Sequence, residues 1–231
     1  MSGEHEKAKS GRTPVCPERR ELLKAGVAMA VAPVIAGMSA VATPSRAQAS
    51  ADRKSKKVLI ISATPREEGN SDILCDEFMR GARKAGHAVE KIRLSEKDIN
   101  FCTGCCSCIS DPGACVQDDD MAEILEKALA ADVMVLASPV YFLTFNARMK
   151  NFIDRFCPIY TMIRDLDVYF IASAAGGQRS VDSVVHGFRV FTGCLYGARE
   201  KGVVAATGVW DEGGIRGSRV LHDAYQMGFD A

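Results

Sequence analysis

The chain has 231 residues, of which 47% are hydrophobic and 25% are charged, and its 29 lysines and arginines balance 29 aspartates and glutamates. This composition is typical of one ordinary globular domain with a further segment, and the balanced charge excludes the basic excess of a nucleic-acid-binding protein. Nine cysteines are many for this length, but five of them lie between Cys102 and Cys115, which indicates one local site rather than a disulfide framework. The other four are scattered and are expected to be unpaired: Cys16, Cys75, Cys157 and Cys194.

An export signal is predicted in residues 1–49. The pair Arg19-Arg20 precedes an alanine- and valine-rich stretch, residues 25–42, and the Ala-Gln-Ala sequence at 47–49 is a small-x-small cleavage site. Because the paired arginines resemble a twin-arginine signal, we expect the twin-arginine export machinery as a partner and a periplasmic or otherwise exported protein. A cytoplasmic protein and a membrane anchor are the alternatives.

Strands and helices alternate through the main domain, which we place at residues 57–231 after a linker at 50–56. Strands are predicted at residues 58–61, 88–94, 132–138, 168–173 and 202–207. Helices are predicted at residues 72–84, 121–130, 146–163, 181–199 and 218–227. This alternation predicts an α/β protein with a doubly wound, five-stranded parallel sheet of flavodoxin-like order 2-1-3-4-5 and helices on both faces.

The loop after the first strand is suited to a phosphate group. In a sheet of this order a ligand binds beyond the carboxyl ends of the strands, between the first and the third. Residues 62–71 bring hydroxyls, an amide and a glycine to the start of a helix, and Arg66 adds a charge-assisted contact. A plain capped turn is the alternative. The chain contains neither a Walker A loop nor a G-x-G-x-x-G motif, so the usual ATP and dinucleotide fingerprints are absent.

The loops after the third and fourth strands are suited to a planar ring system. Residues 138–146 offer the aromatic side chains of Tyr141, Phe142 and Phe145 as a flat apolar wall, or alternatively as a hydrophobic cover of the sheet edge. Residues 174–177, Ala-Ala-Gly-Gly, let the backbone approach a planar ligand closely. Three such loops at one edge of the sheet predict a phosphorylated ring cofactor there.

A cysteine-rich loop, residues 102–115, follows the second predicted strand. Its cysteines form a C-x2-C-x2-C-x6-C run: Cys102, Cys105, Cys108 and Cys115. The opening of this run is typical of the thiolates that hold a cubane iron–sulfur cluster. A zinc site of four thiolates, a disulfide or redox thiol pair, and a loop without metal are the alternatives. The additional Cys106 is expected to be a small apolar filler.

Three segments resemble the NADPH-dependent FMN reductase family of flavodoxin-like proteins. They are the loop at 62–71, the Ser138-Pro-Val-Tyr141 stretch and the Lys150-Asn-Phe-Ile-Asp-Arg155 stretch. The cysteine run, followed by Asp118-Asp119, is similar to the iron–sulfur flavoprotein branch of that family. The resemblance covers residues 56–207.

This resemblance implies that the chain binds FMN and that the cysteine run holds a [4Fe–4S] cluster. The phosphate would be held by Ser62, Thr64, Arg66, Gly69, Asn70 and Ser71. The isoalloxazine would be lined by Pro139, Val140, Tyr141 and Phe142, and its pyrimidine edge would meet Ala175, Gly176 and Gly177. Lys150, Asp154 and Arg155 would brace their helix or a subunit contact. A homodimer or homotetramer is also implied.

We therefore predict an exported FMN-dependent oxidoreductase that passes electrons between FMN and a [4Fe–4S] cluster, and on to a small molecule or a protein. No catalytic side chain is predicted, because the redox chemistry belongs to the cofactors. A cluster-free NAD(P)H-dependent FMN or quinone reductase with redox thiols is one alternative, and a zinc-stapled, non-catalytic binding module is another. Because reduced pyridine nucleotides are cytoplasmic, an exported protein is expected to use a protein or membrane-quinol donor.

Overall fold

The computed structural model describes residues 54–231, so the predicted signal and most of the linker lie outside the described residues. The strands are β1 (Lys57–Ser62), β2 (Ala88–Arg93), β3 (Val133–Tyr141), β4 (Thr144–Phe145), β5 (Leu166–Ser173) and β6 (Ala198–Ala206). The helices are α1 (Asn70–Lys84), α2 (Ser107–Ser110), α3 (Met121–Ala130), α4 (Ala147–Asp154), α5 (Gln178–Thr192) and α6 (Arg219–Phe229), with a 3-10 turn at Leu94–Glu96.

Five of the strands form a parallel sheet in the order β2-β1-β3-β5-β6, and β4 pairs antiparallel with β3. The α/β parallel sheet of flavodoxin-like type is confirmed, but the predicted count of five strands was wrong because it missed β4. This strand forms a hairpin with β3 in which Tyr141 pairs with Thr144. Phe142 and Leu143, the two residues between them, have φ values of 48° and 62°, which is the left-handed backbone of a tight hairpin turn.

Apolar side chains cover both faces of the sheet. One layer lies under α3, α4 and α5 and includes Ile124, Phe152 and Phe188, while the other lies under α1 and α6 and includes Phe78. Helices α1 and α6 approach so closely that a Cβ on Gly81 would lie 2.0 Å from the carbonyl oxygen of Tyr225. The strands buried between these layers position the loops at their carboxyl ends.

Two predicted helices were too long. The helix predicted at 146–163 ends at Asp154 and continues as turns, because Pro158 cannot continue the helical hydrogen bonding. The helix predicted at 181–199 begins at Gln178 and ends at Thr192, and Gly197 takes a φ of 78° just before β6. The four-residue helix α2, inside the cysteine loop, was not predicted. Within residues 54–231, no helix combines the length and the apolar character that crossing a membrane requires.

Candidate functional site

A cleft of about 300 Å3 lies at the carboxyl ends of β1, β3 and β5. Ten of the thirteen residues predicted to bind the cofactor line it: Thr64, Arg66, Gly69, Asn70, Ser71, Pro139, Val140, Tyr141, Phe142 and Ala175. Three further lining residues, Ser173, Val209 and Trp210, were not predicted. Ser62, Gly176 and Gly177 were predicted but lie outside this lining. The topology therefore brings most of the predicted set together at one place.

The start of α1 forms one end of the cleft. Gly69 precedes the helix, and no side chain caps its first N–H groups, which makes this helix start a favourable place for an anion. A Cβ on Gly69 would lie 2.6 Å from Oγ1 of Thr64, so the loop is packed around a residue without a side chain. Thr64 is buried and Arg66 is exposed. A hydroxyl and a guanidinium are therefore available beside the helix start.

The other predicted phosphate ligands have partners inside the protein. Ser62 is buried and donates to Oδ1 of Asp72 at 2.7 Å. The amide of Asn70 donates to the carbonyl of Asp211 at 2.9 Å and accepts from the N–H of Ile215 at 3.1 Å, so it fixes the loop after β6. The hydroxyls of Ser71 and Ser173 lie 2.7 Å apart. For Ser62 and Asn70, a positioning role fits the structure better than direct contact with a phosphate.

Charged side chains of β2 contact the loop between β1 and α1 and the first turn of α1. Nζ of Lys91 lies 3.2 Å from Oδ2 of the buried Asp72, and Nε of Arg93 lies 3.7 Å from the same oxygen. Nη2 of Arg93 also donates to the carbonyl of Arg66 at 3.1 Å. Burial works against the charge of Lys91, but Asp76 and Asp72 raise its pKa above the ordinary value. These contacts neutralise Asp72 and connect the end of β2 to the anion-binding loop.

The hairpin of β3 and β4 forms the other end of the cleft. Pro139 and Val140 are half-buried, Tyr141 is 44% exposed, and Phe142 at the tip is fully exposed. Trp210, which is 74% exposed, approaches from the loop after β6. Its carbonyl accepts a hydrogen bond from Nη1 of Arg66 at 3.2 Å, so the two ends of the cleft are connected. Aromatic surfaces around an open cleft are suited to a planar ring.

The cysteine loop surrounds another, smaller depression, of about 30 Å3. All five of its cysteines line this depression, together with Arg155 and Cys157. Every cysteine in the described part of the chain is free, and no group of three or more His, Cys, Asp or Glu side chains there is arranged around a metal ion. The sulfurs are therefore gathered along one loop but do not converge on one point. Cys102, Cys105, Cys108 and Cys115 have the donor chemistry of a cluster site without its final arrangement.

One expectation about this loop was wrong. Cys106 is exposed rather than an apolar filler, and its φ of 60° places it in the left-handed region. Arg155, which was expected to brace its helix or a subunit contact, joins the end of α4 to the residues on either side of the cysteine loop. By contrast, Lys150 and Asp154 pair with each other one turn apart on the exposed face of α4.

The guanidinium of Arg155 is buried and uses both terminal nitrogens. Nη1 donates to the carbonyl of Asn100 at 2.7 Å and to Oδ2 of Asp119 at 2.6 Å. Nη2 donates to Oδ1 of Asp119 at 3.0 Å and to Sγ of Cys115 at 3.6 Å. Burial opposes ionisation of Asp119, but Arg155 and the N–H groups of Asn100 and Met121 lower its pKa to about 2. The pair thus holds both ends of the loop.

One thiol of the loop is acidic. Hydrogen bonds from Ser107, and then from Thr103, lower the pKa of the exposed Cys105 thiol to about 7. A thiol with such a pKa is about half deprotonated at pH 7, and the thiolate is the form that binds metal or attacks a disulfide. Cys105 is therefore prepared for either chemistry.

The family model described as NADPH-dependent FMN reductase matches residues 56–208. The chain belongs to this family. An iron-sulfur flavoprotein of Archaeoglobus fulgidus is 43% identical over 102 residues, which are 44% of this chain and 46% of that protein. The iron-sulfur flavoprotein MJ1083 of Methanocaldococcus jannaschii is 36% identical over 137 residues, which are 57% of this chain and 70% of that protein. The match thus spans about half the length of the first of these relatives.

Solved structures show the same fold. An NAD(P)H:quinone oxidoreductase from Methanothermobacter marburgensis superposes with a TM-score of 0.61 at 18% identity, covering 77% of this chain and 97% of that one. The azoreductase AzrA also gives a TM-score of 0.61, at 15% identity, over 76% of this chain and the whole of the other. At such identities the likeness concerns the fold alone. Membership of the family supports the predicted cofactor, FMN, and the predicted class, an FMN-dependent oxidoreductase.

Proposed function

We propose that this protein is an FMN-dependent oxidoreductase whose cysteine loop carries a [4Fe–4S] cluster, so that electrons pass between the two cofactors. The main support is the cleft at the carboxyl ends of β1, β3 and β5. It combines an uncapped helix start, a glycine with no room for a side chain, and an aromatic hairpin. These features fit the phosphate and the ring of a flavin mononucleotide, and bound FMN would supply one- and two-electron redox chemistry.

The residues of the cleft would bind and orient the flavin. The first N–H groups of α1 and the guanidinium of Arg66 would hold the phosphate, with the Thr64 hydroxyl beside them. Val140 and Tyr141 would contact the ring from the β3–β4 hairpin, and Trp210 would contact it from the loop after β6. Because Phe142 and Trp210 are exposed, this end of the cleft is open to a second reactant.

The cysteine loop follows β2, the neighbour of β1 in the sheet, after the 3-10 turn at Leu94–Glu96. Cys102, Cys105, Cys108 and Cys115 would hold the cluster, and Arg155 would donate a hydrogen bond to the sulfur of Cys115. Arg93 connects the end of β2 to the anion-binding loop through the carbonyl of Arg66. Electron transfer requires the two cofactor sites to be neighbours, and this contact joins the strand that precedes the cysteine loop to the loop that would hold the phosphate.

Absorption spectra and metal analysis of anaerobically purified protein test this function. We expect stoichiometric FMN, with iron and acid-labile sulfide in equal amounts. A protein without flavin absorbance would contradict the whole proposal. FMN without iron would instead select a cluster-free flavin or quinone reductase with redox thiols. That second candidate is favoured by one observation, namely that no three ligands in residues 54–231 are gathered around a metal ion.

The proposal includes export by the twin-arginine route and a donor other than NADPH. Its support is the sequence alone, namely Arg19-Arg20 before an apolar stretch. Replacing both arginines by lysine should retain the protein in the cytoplasm, whereas the unchanged chain should fractionate with the periplasm. We also propose a homodimer or homotetramer, supported by the exposed Tyr141, Phe142 and Leu143 at the rim of the cleft. A monomer in light scattering would contradict this assembly.

A further inference from the structure

Cys157 lies beside the cysteine loop although it is distant from it in sequence. It follows α4 and lines the same depression as Cys108 and Cys115. Cys157 is exposed, Cys108 and Cys115 are half-buried, and all three thiols are free. The C-x2-C-x2-C-x6-C spacing gives Cys157 no role, so its position calls for another explanation.

Contacts on both sides of Cys157 hold it against the loop. Two residues before it, Arg155 is fixed to Asp119 by paired hydrogen bonds of 2.6 and 3.0 Å, and it also reaches Sγ of Cys115. Directly after it, the carbonyl of Pro158 accepts a hydrogen bond from the N–H of Gly113 at 2.8 Å. Because anchored residues flank Cys157, its thiol stays next to the loop.

Cys108 is the loop cysteine that meets Cys157. It lies in the short helix α2. Cys108 and Cys157 line the same depression, which has a volume of only about 30 Å3. The other half-buried cysteine there, Cys115, is already contacted by Nη2 of Arg155, which leaves Cys108 as the half-buried thiol available to Cys157. Two neighbouring free thiols, one exposed and one half-buried, are the starting point for a disulfide.

We propose that Cys108 and Cys157 form a reversible disulfide when no metal is bound in the cysteine loop. The exposed Cys157 thiolate attacks a low-molecular-weight disulfide such as oxidised glutathione, which forms a mixed disulfide and releases one small thiol. Cys108 then attacks the Cys157 sulfur, so that the protein disulfide forms and the second small thiol leaves. The two cysteines lose two electrons, the small disulfide gains them, and the two protons leave on the released thiols.

This bond would join the cysteine loop to the segment after α4. It would also remove Cys108 from the set of sulfurs available to a metal. Metal binding by the cysteine loop would therefore depend on whether the surroundings keep Cys108 and Cys157 reduced.

Disulfide mapping on the full chain tests the proposal. Anaerobically purified protein is split into one sample as isolated and one stripped of iron by a chelator. Both are incubated with oxidised glutathione, blocked with N-ethylmaleimide and digested for mass spectrometry. In the stripped sample we expect a peptide linked through Cys108 and Cys157, at least tenfold more abundant than Cys108 linked to any other cysteine. If the isolated protein contains iron, the unstripped sample should give at least tenfold less of this peptide.

Two serine variants make the result specific. Cys157→Ser changes an exposed side chain, so it should fold and bind FMN, and because it lacks the attacking thiol its Cys108 should be recovered with N-ethylmaleimide. Cys194→Ser removes another exposed cysteine and should leave the linked peptide unchanged. The proposal is overturned if Cys157 of the stripped protein stays open to N-ethylmaleimide. It is also overturned if Cys108 links equally well to Cys105 or Cys115.

The disulfide goes beyond the proposed function, and the same samples show which of the two, the cluster or the disulfide, is refuted. Absence of iron from the isolated protein would refute the cluster while leaving the mapping informative. A protein that contains iron but gives no linked peptide after stripping would refute only the disulfide.

Discussion

Replacing Gly69 by alanine tests the anion-binding end of the cleft. Gly69 has a φ of −64° and a ψ of 151°, an extended conformation that alanine also adopts, so any effect must come from the added Cβ. That atom would lie 2.6 Å from Oγ1 of Thr64 and 3.2 Å from Cβ of Arg66. Both neighbours belong to the group that we propose holds the phosphate.

The expected loss of affinity follows from these distances. Ordinary contact begins near 3.4 Å, so the Thr64 hydroxyl must move by about 0.8 Å. A shift of that size removes one hydrogen bond to a charged phosphate, which contributes about 1.5–3 kcal/mol. Since each 1.4 kcal/mol corresponds to a factor of ten, the Kd for FMN should rise about 10- to 100-fold.

The assay is titration of the flavin-free protein with FMN, followed by the change in flavin fluorescence. Alanine is a weaker N-cap than glycine, so thermal unfolding without FMN must be recorded to separate a loss of stability from a loss of affinity. Gly177→Ala is the matched control, because it also replaces the N-cap glycine of a helix but its Cβ meets nothing within 4 Å. If Gly69→Ala binds FMN within about twofold of Gly177→Ala, the assignment of this loop to the phosphate is wrong.

Three further outcomes are expected. Gly81→Ala would place a Cβ 2.0 Å from the Tyr225 carbonyl oxygen, so the free energy of unfolding measured in urea should fall by about 3 kcal/mol or more. An unchanged unfolding midpoint would contradict the close packing of α1 on α6. Because the pKa of Asp119 is lowered from 3.8 to about 2, its pairing with Arg155 should stabilise the fold fully above pH 4 and fade as the pH falls through about 2. Arg155→Met should therefore lower the free energy of unfolding by about 3–5 kcal/mol at pH 7 and should abolish that part of its acid dependence. A variant whose stability falls with acid as steeply as that of the wild type would contradict the pairing. Trp210 is the single tryptophan of the chain, so its fluorescence should be quenched in proportion to bound FMN, and unchanged emission at saturation would place the ring elsewhere.

The positions of the strands and the loops at their ends followed from local sequence. Residues 58–61 and 133–137 are apolar throughout, which is typical of a strand buried on both faces, so they located the edge at which the cleft lies. The hairpin strand β4 gave no such signal. It has two residues, and its turn uses Phe142 and Leu143 with positive φ instead of the glycine or asparagine that usually marks such a turn.

The residues that sequence reasoning missed lie far along the chain from their partners. Trp210 reaches the cleft because Asn70 holds the loop after β6 with two hydrogen bonds, and this pairing has no local pattern. The signal that was available is a lone tryptophan after the last strand. Cys157 was classed as scattered because spacing arithmetic considers one segment at a time. It reaches the cysteine loop only through the long-range contacts of Arg155 and Pro158.

The cysteine loop is firmly held at its ends and exposed in its middle, and this contrast would allow one loop to serve the two proposed chemistries. Before the cysteines, the carbonyls of Ile99 and Asn100 accept hydrogen bonds of 2.7 Å from Asn151 and Arg155. After them, Asp119 is fixed by the same arginine. Residues 102–106 in between are exposed, so the backbone there can rearrange without disturbing either apolar layer. The proposed convergence of four sulfurs on a cluster and the proposed closure of Cys108 onto Cys157 would therefore be alternative arrangements of the same loop, and each would exclude the other because both require the sulfur of Cys108.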